Sequence, residues 1–132
     1  MARFYDIDAA NERLRELRPV LEQLKADRDA LAQEQREFRE TLASDGSPEA
    51  DARRPVHEAR IRELVGRMEQ AVAQVDAWGI TLRDIRSGLV DFPALVSGRQ
   101  VWLCWRLGED QVGWWHELSA GFSGRRALSD LA

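Results

Sequence analysis

The chain is 132 residues long, 44% hydrophobic and 32% charged, with a formal net charge of −4 at pH 7. That length supports one domain with a modest core, and no run approaches the roughly 18–20 apolar residues that a membrane span needs. Residues 1–79 carry 13 Lys+Arg against 17 Asp+Glu, and residues 80–132 carry 6 against 6, so the cationic surplus on which nucleic-acid binding rests is missing.

Neither a nucleic-acid nor a membrane partner is therefore expected. The opening MARFYDIDAANERL turns charged at once and lacks the apolar core of a signal peptide, which predicts a cytoplasmic protein. One cysteine, Cys104, leaves no internal disulfide and no cysteine-based metal cluster. No HExxH or clustered His/Cys pattern surrounds His57 either, so neither a metal nor a cofactor is predicted.

Asp6 is a fitting N-cap, with Asp8 in the first turn where an acid suits the helix dipole. Leu14, Leu17, Leu21, Leu24, Arg28, Leu31, Gln35, Phe38 and Leu42 follow in alternating steps of three and four, a heptad seam. Arg28 and Gln35 interrupt it, as polar residues that set register do. Pro19 removes one helical hydrogen bond and predicts a kink or a fresh start.

ASDGSPEADARRP, residues 43–55, has loop composition, and His57 begins a second helix. Ile61, Leu64, Val65, Met68, Val72, Val75 and Trp78 form the second seam, closed by Gly79 as the C′ residue. Two such seams over residues 1–79 predict an antiparallel helical hairpin.

From Ile80 the period changes. ITLRDI suits a strand or extended link, and RSGLVDFPALVSGRQ, with Pro93 at its middle, reads as at most an irregular or edge strand. VWLCWRL and VGWWHEL, separated by GED, read as a β-hairpin that holds four of the five tryptophans. A two- or four-residue turn puts Val101, Leu103, Trp105 and Leu107 on one face with Val112, Trp114, His116 and Leu118. Trp102, Cys104 and Arg106 then share the other face with Gly113, Trp115 and Glu117. A three-residue turn places His116 beside Trp102 and Cys104 instead. The first register is preferred because it makes one clean apolar face.

An aromatic second face needs a cover, and Trp and Arg are enriched at binding hot spots, so a homodimer is the expected assembly. The candidate ligand-binding residues are Arg106, Trp102, Trp115, Arg125, Gly121 and Gly124. Arg106 lies diagonally across from Glu117 in the preferred register. GFSGRR offers backbone N–H groups and two arginines, Arg125 and Arg126, to an anion, without the lysine and spacing of a phosphate-binding loop. Glu117, His116 and Asp91 are the candidate acid-base groups. Each has a structural reading: Glu117 an ion pair, His116 a satisfied core residue, Asp91 the cap of a turn before Phe92-Pro93. Cys104, between bulky neighbours, reads as inert and buried.

GLVDFPAL (88–95), GRQVWLCWRLGE (98–109), WHE (115–117) and GFSGR (121–125), with the opening FYDIDAANERLRELRPVLEQL, resemble the bacterial family called domain of unknown function 2203. The resemblance covers nearly the whole chain and implies a small bacterial cytoplasmic protein, without an activity. The expected architecture is α+β: a long helical hairpin over 1–79 packed with a small antiparallel sheet over 80–132, in one domain. The expected function is a non-enzymatic binding or assembly module. The alternatives are a small enzyme acting on an anionic small molecule and, more remotely, a metal or haem site using His116 with Cys104.

Overall fold

In the computed structural model, which describes residues 3–44 and 46–130, Asp6 caps helix α1 (Ile7–Ala43) by accepting the Ala9 N–H at 2.7 Å. The helix runs through Pro19 as one element rather than restarting there. Helix α2 (Pro48–Ala77) begins far earlier than its composition suggested, and only residues 44–47 separate the helices. The expected loop over 43–55 is thus mostly helix. Ser47 accepts the Ala50 N–H at 3.1 Å, Pro48 sits in the first turn where its missing N–H costs nothing, and Glu49 and Asp51 face the positive end of the dipole. The Ser-Pro pair that resembles a loop is the start signal of the helix. His57 accordingly lies inside α2 and does not begin it. At the far end Gly79 has φ +75° and donates to Asp76 O at 2.8 Å, the expected C′ geometry.

Leu14, Leu17, Leu21 and Leu24 are buried as the heptad predicts, but the seam then moves by one residue. Asp27 is buried and Arg28 is exposed; Gln35 and Leu42 are exposed as well. The reason lies on the facing helix. Arg67 reaches Asp27 at 3.2 Å, aided by Gln23 at 2.9 Å, and His57 Nδ1 meets Glu34 at 2.6 Å. A charge is kept at a helix seam where an opposite charge faces it. On α2, Leu64 and Val75 are buried as expected, while Val65 and Val72 turn outward.

The C-terminal half is a five-stranded antiparallel sheet in sequence order: β1 (Thr81–Asp84), β2 (Leu89–Val96), β3 (Arg99–Arg106), β4 (Trp114–His116) and β5 (Arg126–Ala127). The irregular or edge strand expected around Pro93 is in fact an eight-residue strand with neighbours on both sides. Pro93 is tolerated because β1 pairs only as far as Asp91, and beyond it the Pro93 carbonyl accepts the Tyr5 N–H at 2.7 Å. Ser97 and Gly98, at φ 54° and 78°, close a two-residue hairpin between β2 and β3.

Val90, Phe92, Ala94, Val101, Leu103, Trp105 and Trp115 form the inner face and pack on Leu14, Leu17, Leu21 and Leu24. Trp105 and Phe92 are both fully enclosed. Each such ring removes roughly 150–250 Å² from water, about 4–6 kcal/mol of gross stabilisation, which outweighs any helix cap. Helix α1 enters this core only through residues 10–24. At 37 residues it is about 55 Å long, against about 20 Å across five strands, so the distal half of the hairpin extends past the sheet.

Candidate functional site

The outer face of the sheet, turned away from the helices, carries the chemistry. Its content follows from the β3–β4 register, which pairs Trp102 with His116, Leu103 with Trp115 and Cys104 with Trp114. This is the register that a three-residue turn would give, and the preferred one is corrected. Trp115 belongs to the inner core, and Trp114 and His116 belong outside. The turn is in fact the seven residues 107–113, pinned to α1: Asn11 Oδ1 accepts the Val112 N–H at 2.7 Å, and Arg18 donates to the Glu109 and Asp110 carbonyls. Val112 is buried by this docking. A loop anchored to a helix sets strand parity in a way that turn length alone does not.

Asp91 on β2, Cys104 on β3 and His116 on β4 meet at one point of the outer face. They are 2%, 1% and 2% exposed. His116 Nε2 lies 3.0 Å from Asp91 Oδ1, and its Nδ1 lies 2.8 Å from the Glu117 carbonyl. A carbonyl only accepts, so Nδ1 carries a proton and Nε2 faces the carboxylate. Arg83 is the extra residue of a bulge between Leu82 and Asp84, and its Nε donates to Asp91 Oδ2 at 2.8 Å. Burial pushes the Cys104 thiol up to about 12, and the neighbouring Asp91 carboxylate acts in the same direction. Cys104 is therefore a thiol rather than a nucleophilic thiolate.

Aromatic-guanidinium stacks flank the cluster. Arg83 lies 5.0 Å from the Trp102 ring, and Arg125 lies 5.0 Å from Trp114 and 4.7 Å from Phe122. The second face is thus largely closed by the chain's own side chains. Glu117 pairs with Arg99 at 3.0 Å and not with Arg106, which stacks on Phe122 instead. Arg125 grips the Glu109 carboxylate at 2.7 and 3.0 Å and also donates to Cys104 O. Gly121 and Gly124 bracket a short 3-10 turn in which the Gly124 and Arg125 N–H groups bond back to Gly121 and Phe122. Those donors are spent within the turn. Asp91 caps no turn; it sits mid-strand. Its meeting with Cys104 and His116 went unforeseen because the three are spread over separate strands, and no spacing motif links them.

Two further features lie on the hairpin. Glu34, Glu37 and His57 cluster half-buried between α1 and α2. Nearby, Leu31, Val65, Met68, Val72 and Ala73 line a groove edged by Glu69 and Asp76. Val65 and Val72 remain 37% and 39% exposed there. An open polar cleft also runs between α1 and the 107–111 segment, lined by Arg18, Lys25, Glu109 and Asp110. It includes none of the candidate ligand-binding or acid-base residues named from the sequence. No described helix is long and apolar enough to cross a membrane.

The model of the family described as "Uncharacterized conserved protein (DUF2203)" matches residues 3–128, and the chain belongs to that family. No curated protein and no solved structure matches it.

Proposed function

We propose that this member of the DUF2203 family is a non-enzymatic assembly module that works in the cytoplasm as a homodimer. The apolar strip on its helical hairpin is the self-association surface. The observation that carries this reading is the outward placement of Val65 and Val72, two turns apart, over a groove formed with Leu31, Met68 and Ala73. Met68 in the groove packs against the core, whereas Val65 and Val72 are left more than a third exposed by the described residues.

Two features of α2 favour a second copy as the occupant. Gly66 lies in the helix interior, where glycine costs about 1 kcal/mol relative to alanine. A Cβ there would meet nothing within 4 Å among the described residues, so no described neighbour requires the glycine. Close approach of another helix would. Arg62 and Glu69 flank the same stretch, and a two-fold axis between Val65 and Gly66 sets Arg62 of each copy opposite Glu69 of the other. The non-enzymatic part rests on the outer-face cluster, whose thiol is protonated and whose histidine has both ring nitrogens engaged.

Light scattering on the full chain tests this. A dimer is expected for the wild type and a helical monomer for Val65→Glu/Val72→Glu. Arg62→Glu and Glu69→Arg should each weaken association, and their combination should restore it. A wild-type chain that stays monomeric at high concentration refutes the reading.

A further inference from the structure

We propose that Asp91, Cys104 and His116 form a binding site for a divalent transition metal of the zinc class, ligated by one oxygen, one sulfur and one nitrogen. The site is separate from the hairpin surface and does not depend on dimerisation. Three adjacent strands each contribute one ligand, and one carboxylate oxygen, the Sγ and one ring nitrogen all lie within 4.8 Å of one another. Tetrahedral coordination at about 2.0–2.3 Å separates such donors by roughly 3.3–3.7 Å, so ligation asks for changes in donor separation of no more than about 1.5 Å.

The surroundings are those of a ligand set. The Nδ1–H of His116 is tied to the Glu117 carbonyl at 2.8 Å, which fixes the tautomer and turns the Nε2 lone pair inward. A ligating histidine is characteristically held this way. Arg83 takes Oδ2 of Asp91 and leaves Oδ1 directed at Nε2, 3.0 Å away. At that distance one proton is shared between Nε2 and Oδ1 in the metal-free protein, and a metal ion would take its place. The mixed imidazole, thiolate and carboxylate set suits Zn²⁺ or Co²⁺ rather than Mg²⁺ or Ca²⁺, which prefer all-oxygen shells. Arg125, close to Cys104, brings no uncompensated charge because Glu109 neutralises it.

Binding is a balanced exchange without redox change. The Cys104 S–H proton and the proton shared by His116 and Asp91 leave to solvent as M²⁺ enters. Two protons leave as one M²⁺ enters, so the net charge of the site, Arg83 included, is unchanged. The Glu34, Glu37 and His57 cluster has no sulfur and is half-buried, which makes it the internal control.

Titration of metal-free full-length protein with Co²⁺, followed by absorbance, reads this directly. One equivalent should saturate tetrahedral Co²⁺ bands together with a near-ultraviolet thiolate-to-cobalt band, and Zn²⁺ should abolish both. Since Cys104 is the sole thiol, Cys104→Ser must lose the charge-transfer band. Asp91→Asn and His116→Gln should weaken binding at least about 100-fold, since second-shell changes alone cost about 10–100-fold. His57→Ala should bind as the wild type does. The wild-type titration is decisive even where a buried variant fails to fold. Absence of the thiolate band from folded wild-type protein at several equivalents overturns the proposal, as does unchanged affinity in folded His116→Gln.

Discussion

Cys104→Ala should change sign in its effect on stability as pH rises. The thiol titrates at 9.0 when exposed and near 12 in the fold, because burial and the Asp91 carboxylate both disfavour the thiolate. A group with a raised folded pKa contributes its full stability below the unfolded value and loses it as pH climbs toward the folded one. Unfolding therefore releases a proton between pH 9 and 12, and stability falls by about 1.4 kcal/mol per pH unit through that window. At pH 11 the loss is on the order of 2–3 kcal/mol. The variant lacks this loss but forfeits one buried heavy atom, about 1 kcal/mol by comparison with buried Ile→Val changes. Cys104→Ala should thus be the less stable protein at pH 7, equal to the wild type near pH 10, and the more stable at pH 11. Urea unfolding of metal-free protein by circular dichroism across pH 7–11 measures the difference. Other alkaline groups cancel in the comparison. A wild-type-minus-variant difference that stays flat across this range refutes the placement of the thiol against a buried carboxylate.

Two further changes probe the frame around the site. Asp27→Ala should destabilise by about 1–3 kcal/mol in thermal or denaturant unfolding, since it removes the buried acceptor shared by Gln23 and Arg67; Arg28→Ala, on the exposed neighbour, should change stability by less than about 0.5 kcal/mol. Gly88→Ala should cost roughly 2 kcal/mol or more, because Gly88 has φ +66° and an added Cβ would lie 2.6 Å from the Leu107 Cβ; an unchanged melting temperature contradicts that turn.

The hairpin was legible wherever apolar residues alone set the phase. Leu14 through Leu24, the Asp6 cap and the Gly79 stop all follow from spacing and backbone chemistry. The seam became unreadable at Asp27 and Arg28, since periodicity cannot choose between adjacent charged residues without knowing that Arg67 faces the first. The outer-face cluster was hidden for a related reason. Strand parity depended on where α1 holds Val112, and a shift of one residue exchanges Trp115 with Trp114 and His116. Asp91 stood out as a candidate acid-base group, but its place in the cluster was lost with β2, whose Pro93 looks like a breaker until Tyr5 is seen to take its carbonyl.

The two proposed surfaces lie on different layers, and that separation is itself testable. The metal ligands sit on the outer face of the sheet, whereas the Val65–Val72 strip lies on the hairpin, whose α1 packs against the inner face. They share no side chain. Perturbations at sites without common partners add to within about 0.3–0.5 kcal/mol, roughly a twofold change in an equilibrium constant. Val65→Glu/Val72→Glu should therefore bind Co²⁺ within about twofold of the wild type. Cys104→Ser should likewise keep the wild-type dimerisation constant within that margin. A tenfold change in either direction would mean that the sheet transmits strain to the hairpin, through a core in which Phe92, Leu103 and Trp105 leave little slack. In that case the metal site would act as a switch for assembly, and saturating Co²⁺ would have to shift the dimerisation constant by the square of the per-site change in affinity, because each dimer holds two sites.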